Sequence, residues 1–259
     1  MQVLKATSDD GTSLRLARWG DAGRDVLLVH GLAEHAGRYV HVADALVAAG
    51  WRVTLVELRG HGHSGGRRGH TKRWHRYVED VQAAAATINR PFVMIGHSMG
   101  GLVALDALRE PIAPKCLALA ISNPLLGVAV AQPAWKEKAA RVLSRVLPWL
   151  PLPTDLDAKL ISHDSEVVRA YEADPLVFGT VTARWATEME AAQARVLADA
   201  PKATLRLLAL IGSDDQICAP EASEVLTNAW GGSCEKQIYE GFYHELFNEV
   251  DKARVLADL

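Results

Sequence analysis

The sequence is short of cysteine, of net charge and of long apolar runs, and each shortage excludes something. Its three cysteines, Cys116, Cys218 and Cys234, are an odd number with no C-x-x-C spacing. That argues against a disulfide framework and for free thiols in a reducing compartment. The formal net charge is only −3, so nothing in the charge balance invites nucleic acid and none is expected as a partner. No window approaches the roughly 20 apolar residues of a membrane span. Asp9 and Asp10 stand where a secretory signal needs an apolar core. The expectation is a cytoplasmic protein, with peripheral attachment to a membrane left open. Linkers, internal repeats and low-complexity segments are missing too, which at 259 residues favours one domain with an insertion.

What is present is an alternation of short apolar runs with helical periodicity. Runs at 14–19, 25–30, 52–58, 92–96 and 116–122 read as strands, and 39–49, 74–89 and 99–109 as helices. This rhythm predicts a mostly parallel sheet with helices on both faces. From 123 to about 200 it breaks into prolines and helical stretches with no clear strand. Structureless loops of that length are uncommon, so 123–200 is expected to be a helical cap inserted into a core of 1–122 and 201–259. Strand character returns at 205–211 and 236–239, and a last helix is expected from about His244.

Gly96-His97-Ser98-Met99-Gly100 is a G-x-S-x-G between the strand at 92–96 and the helix that follows. In that context the serine sits on a strained turn that lifts its hydroxyl clear of the sheet, and the fold is the α/β-hydrolase fold. Ser98 is therefore the expected nucleophile, and the His97 side chain is expected to point away from the base. A serine hydroxyl needs a base to take its proton, and the base needs a carboxylate to orient it. In this fold the order is Ser, then Asp or Glu, then His. The apolar run 207–211 ends in Gly212-Ser213-Asp214-Asp215, and His244 follows the last strand. His244 is the expected base; spacing leaves Asp214 and Asp215 equally placed as its partner. Two backbone N–H groups must hold the developing oxyanion. Met99, after the nucleophile, supplies one, and Leu32 in His30-Gly31-Leu32 is the candidate for the other.

With these residues placed, the chain resembles the monoacylglycerol lipases and their bacterial lysophospholipase-like relatives. The likeness runs through His30-Gly31-Leu32-Ala33-Glu34-His35-Ala36-Gly37-Arg38-Tyr39 and Arg59-Gly60-His61-Gly62-His63-Ser64. It continues through Gly96 to Gly101, Tyr171 to Leu176, Gly212 to Asp215 and Tyr243-His244-Glu245. The resemblance implies a serine esterase that cleaves monoacylglycerols without metal or cofactor. A lysophospholipase, broad carboxylesterase or acyltransferase with the same triad is the alternative. Laid on Gly212 to Cys218, the family's G-x-x-D-x-x-C pattern selects Asp215. It also implies that Glu34, Arg38 and Tyr171 line a polar pocket for the glycerol head, against a purely structural Glu34–Arg38 pair one helical turn apart. Glu57 departs from the aspartate of many relatives, at a position expected to be structural.

Three other features carry weaker expectations. His61, His63, His70 and His75 lack the context of a zinc motif and are expected to serve loop packing. Cys218 is expected to be a buried thiol near Asp215. Between 135 and 150, Trp135, Ala139, Val142, Leu143, Val146, Leu147 and Leu150 share one helical face, opposite Lys138, Arg141 and Arg145. Such a basic amphipathic helix suits either a membrane surface or the cover of an acyl tunnel.

Overall fold

The computed structural model describes residues 1–110, 112, 116–129 and 134–259. Its main sheet has eight strands in the order β1-β2-β4-β3-β5-β6-β9-β10. These are β1 (Gln2–Thr7), β2 (Ser13–Trp19), β3 (Arg24–Val29), β4 (Trp51–Val56), β5 (Phe92–His97), β6 (Cys116–Ser122), β9 (Arg206–Gly212) and β10 (Cys234–Tyr239). Strand β2 runs antiparallel to both β1 and β4; from β4 to β10 every pair is parallel. Helices α1 (Val40–Ala48), α2 (His75–Ala85), α3 (Met99–Ala107), α7 (Pro220–Ala229) and α8 (Lys252–Asp258) complete the core. This is the α/β-hydrolase fold.

The period-two rule of strands sorts the apolar residues onto two faces. In β3, Leu27 and Val29 join Trp74, Tyr77, Val81 and Leu102 on one side, while Val26 and Leu28 join Val42, Leu46 and Val255 on the other. Covered on both faces, β3 reads as the uninterrupted run Val26-Leu27-Leu28-Val29, as parallel strands do. Helix α3 is buried along its whole length.

Chain order reverses at β3, with β4 on one side and β5 on the other. Ligands of open α/β sheets gather at the carboxyl ends of strands beside such a switch point. There the loops after β3, β5, β6, β9 and β10 deliver Leu32, Ser98, Asn123, Asp215 and His244.

Residues 134–199 carry α4 (Ala134–Val146), α5 (Ser165–Ala173) and α6 (Ala183–Asp199), outside the main sheet. They also hold a short antiparallel pair, β7 (Pro151–Pro153) with β8 (Thr180–Thr182), where only helix was expected. Residues 130–133 of the expected cap lie outside the described residues. Strand β1 and helix α7 are further additions. The last α-helix begins at Lys252; before it lies a short 3-10 turn at Leu246–Asn248, with Glu249 accepting the N–H groups of Tyr243 and Val250 on either side.

The Arg59-Gly60-His61-Gly62 run is anchored by a buried ion pair. Arg59 donates from Nε and Nη2 to Asp80 and from Nη1 to Asp10, so the β1–β2 turn is tied to α2. Asp80 is fully buried, and burial pushes its carboxyl above the usual carboxylate range. Removing one partner of a buried pair leaves an uncompensated charge, which costs about 3–5 kcal/mol. Arg59→Ala is expected to lose about that much in urea unfolding. A loss under about 1 kcal/mol would show that the pair does not hold this corner.

Candidate active site

At the nucleophile turn, as at Ala33 and Asn123 on the neighbouring strand ends, the backbone leaves ordinary geometry. Ser98 takes φ 52° and ψ −122°, a left-handed conformation that L side chains avoid. Its N–H donates to Ser122 O at 3.0 Å, and its carbonyl accepts from Gly101, Leu102 and Leu125. Gly96 and Gly100 are required by contact. A Cβ at Gly100 would lie 2.2 Å from Val29 O, and one at Gly96 2.7 Å from Gly100 O.

Around this turn three side chains line up. His244 Nε2 is 2.9 Å from Ser98 Oγ, and His244 Nδ1 is 2.8 Å from Asp215 Oδ2. Asp215 Oδ1 accepts the N–H groups of Ile217 and Cys218, which fixes the carboxylate's orientation. Asp214, the alternative partner, instead accepts from Ser213 Oγ at an exposed position. All three aligned side chains are buried. In this arrangement the imidazole can take the serine proton while the carboxylate holds its charged form. Burial disfavours that charged form, but Asp215 and the adjoining Cys218 together outweigh it, and the His244 pKa lies well above its ordinary 6.5.

The loop after β3 lies on the other side of the turn. Among the described residues, neither the Leu32 nor the Met99 N–H donates a hydrogen bond. Both are free to meet an oxyanion. His30 Nε2 accepts the Leu58 N–H, so its Nδ1 carries the proton and donates to Gly31 O. Glu34 Oε2 accepts the Gly31 N–H at 2.7 Å and the Tyr39 hydroxyl at 2.6 Å. Glu57 Oε1 accepts the Ala36 N–H, and its Oε2 the His63 N–H, so it braces this loop against the next.

Glu34 and Arg38 are brought together but turned inward. Arg38 donates to Glu34 and to Glu245, the residue after the base, and its guanidinium lies 4.8 Å from the Tyr171 ring. Burial acts to raise Glu34, yet His97, Arg38 and the Tyr39 hydroxyl hold it down to about 2. Glu245, buried and facing Glu34, is pushed up to about 7 in spite of Arg38. Tyr171 is half-buried on α5.

His97 corrects an expectation. Its ring packs 4.8 Å from the His244 ring, because the base loop folds back over the end of β5. It bonds to Ser122 O, and burial pushes its pKa down to about 4, so it stays neutral beside the base. The other histidines are dispersed. His61 bonds to Arg59 O, His70 to Thr182 Oγ1, and His75 lies by Glu79 and Glu110. Among the described residues, the one trio of metal-ligating type within mutual reach is Asp215, Cys218 and His244. Two of its members are already committed to the serine relay. Cys218 Sγ lies 3.9 Å from Ser98 Oγ, and burial keeps it a thiol.

Sequence reasoning missed Asn123, which bonds to the acid and base loops together. The available signal was Asn-Pro directly after a strand, a turn-forming pair.

The family described as serine aminopeptidase, S33 matches residues 20–251. The monoacylglycerol lipase of Mycolicibacterium smegmatis is 36% identical over 242 residues, covering 90% of this chain and 85% of that protein. The monoglyceride lipase of Homo sapiens is 31% identical, covering 93% and 82% respectively. The crystal structure of Paleococcus ferrophilus monoacylglycerol lipase is similar with a TM-score of 0.87 at 28% identity, covering 100% of this chain and 98% of that one.

The raised imidazole pKa sets a pH dependence. A base must be neutral to take the Ser98 proton, so kcat/KM for ester cleavage should climb through an apparent pKa above 6.5. The same shift stabilises the folded chain fully below 6.5 and fades as pH rises through the folded value. An acid limb centred at or below 6.5 in the kcat/KM profile would show that Asp215 does not tune this base.

Proposed function

Because the chain belongs to the serine aminopeptidase, S33 family, we propose that it is a serine carboxylic-ester hydrolase cleaving monoacylglycerols to glycerol and free fatty acid. The observation that carries the reading is the continuous relay from Asp215 through His244 to Ser98, set on a strained strand–helix turn. Ser98 Oγ attacks the ester carbonyl as His244 Nε2 takes its proton. The Leu32 and Met99 N–H groups bind the tetrahedral oxyanion. As that intermediate collapses, His244 returns the proton to the glycerol oxygen and an acyl-enzyme remains. Water, deprotonated by the same imidazole, then releases the fatty acid and restores Ser98.

Head-group chemistry favours a neutral substrate. Arg38 is already shared between Glu34 and Glu245 in a buried cluster, so it is not free to neutralise a phosphate. Both carboxylates are engaged with it, which leaves neither for a free amine. Tyr171, covering Arg38 from α5, is the member of the expected head-group set that stays half-exposed and is left to meet a glycerol head. The insertion at 123–200 acts as the cap that receives the acyl chain.

The cap also supports contact with a lipid surface. Helix α4 turns Ser144 inward, where its hydroxyl meets Thr187 on α6, and leaves Trp135, Val142 and Val146 about two-thirds exposed. The apolar stripe thus faces outward, opposite to what packing on its own domain requires. Trp149 continues the stripe to β7, whose partner β8 is bonded to Gly69 in the exposed Arg67-Arg68 and Lys72-Arg73 loop. Apolar and basic groups side by side suit an anionic bilayer.

Two measurements test these readings. Glycerol release from 1- and 2-monoacylglycerols should be rapid in the parent and fall at least about 1,000-fold in Ser98→Ala, with lysophosphatidylcholine a poor substrate. Activity on short chromogenic esters alone would remove the monoacylglycerol assignment. In sedimentation with phosphatidylcholine–phosphatidylglycerol vesicles, the parent should pellet. The triple variant Trp135→Glu, Val142→Glu, Val146→Glu should stay in solution while cleaving a soluble ester normally. A parent that remains in the supernatant would overturn the membrane contact.

A further inference from the structure

The catalytic reading poses a mechanical problem. His244 follows β10, while Ser98 follows β5, and β6 and β9 lie between them. Strand β10 is paired in the sheet only with β9. The base must therefore reach back across two strands to its nucleophile, with no ladder of its own to hold it there.

Asn123 stands in that gap. It follows β6 directly, is 2% exposed, and takes φ 39°, a left-handed value that asparagine tolerates better than other side chains. Its Oδ1 accepts the Gly212 N–H at 2.8 Å, at the start of the acid loop. Its Nδ2 donates to Tyr243 O at 3.1 Å and to His244 O at 2.8 Å, on the base loop. One N–H and two carbonyls surround the amide, so its orientation is unambiguous and both donors are used. The Asn123 N–H donates to Leu210 O, the neighbouring Ser122 O accepts the Ser98 N–H, and Leu125 N–H donates to Ser98 O. Residues 122–125 thus touch the nucleophile turn, the acid loop and the base loop at once.

We infer that Asn123 is a positioning residue that clamps the Asp215 and His244 loops in register with Ser98, an inference that rests on the catalytic reading above. The amide touches neither substrate nor the reacting atoms. It acts through the main chain of His244, and a base displaced by about 1 Å can lose about 100-fold in rate. Only an amide has the donors for both carbonyls and the acceptor for Gly212. Aspartate keeps the acceptor but turns a charged oxygen on two carbonyls, and glycine keeps the backbone but makes none of the three bonds.

The test compares Asn123→Gly and Asn123→Asp with the parent and with Ser98→Ala, on a water-soluble chromogenic ester. Both Asn123 variants should fold and show kcat lowered about 10–100-fold with KM within about twofold. A merely structural role would leave two other readouts unmoved. The acid limb of kcat/KM should shift downward as the Asp215–His244 bond loosens, and the downfield imidazole proton resonance of that bond should weaken. Values of kcat within twofold of the parent overturn the inference. So does a fall in kcat with both the acid limb and the resonance unchanged. If Asn123→Gly does not fold, Asn123→Asp is read alone; if neither folds, Asn123 is a residue of global stability and the inference fails. Activity surviving in Ser98→Ala would defeat the catalytic reading itself, independently of Asn123.

Discussion

The left-handed backbone at Ser98 costs on the order of 1–3 kcal/mol and persists only because its surroundings over-determine it. Much of the central structure answers that requirement. The turn is pinned from β6 by the bond to Ser122 O and from the following loop by Leu125 N–H. Its approach to β3 is so close that any side chain at Gly100 would meet Val29 O. The loop that carries Leu32 also lies against this turn, a Cβ at Gly31 falling 3.1 Å from Ser98 Cβ. On the proposed mechanism the strain and the oxyanion site are one feature, since relaxing the turn would move the Met99 N–H.

A buried site of this kind must also house charge. The chain does so by giving each internal ion a partner and then sharing partners between loops. Asp215 serves His244 and two backbone N–H groups. Glu34 serves the Gly31 N–H and Tyr39 while pairing with Arg38, which pairs in turn with Glu245 beside the base. A chain of contacts therefore runs from the loop after β3 to the loop that carries His244. Glu245 is its soft link, with a pKa of about 7 set by burial and by the nearby Glu34. Such a network is worth more for geometry than for net stability, because desolvation consumes most of the Coulombic gain.

Legibility in the sequence followed locality. Strands β2 to β6 and their helices could be read because each carries its apolar residues in a run that is local in the chain, and Gly96 to Gly100 because its spacing has one steric purpose. What escaped was non-local. Strand β1 is largely exposed at the sheet edge and so carries little pattern. The β7–β8 pair is three residues long on each side. Spacing left Asp214 and Asp215 equal and only the family pattern selected Asp215, while the inward turn of Glu34 and Arg38 depended on Glu245, more than 200 residues away in the chain. His97 was misread because its orientation depends on where the base loop returns. Asn123 shows only the Asn-Pro turn signal, because its partners are main-chain atoms whose identity leaves no trace in the sequence.

On the proposed function, the outward stripe on α4 and the buried triad are two halves of one energetic argument. Ser98 is only 6% exposed, so an ester must be carried to it beneath the insertion. Each methylene of an acyl chain costs about 0.8 kcal/mol to expose to water. A monoacylglycerol that left a bilayer through water would meet that cost along its whole chain before any contact with the enzyme repaid it. A cap seated in the bilayer surface removes the crossing, because the chain passes from one apolar medium to another with little change in free energy. Binding then draws on what the membrane cannot offer, which is a polar site for the head group. Behind that site run the buried bonds from Glu34 through Arg38 to Glu245. Exposing tryptophan and valine on α4 is a liability for a protein free in water, and it is the arrangement expected of a protein whose substrate waits in a lipid surface.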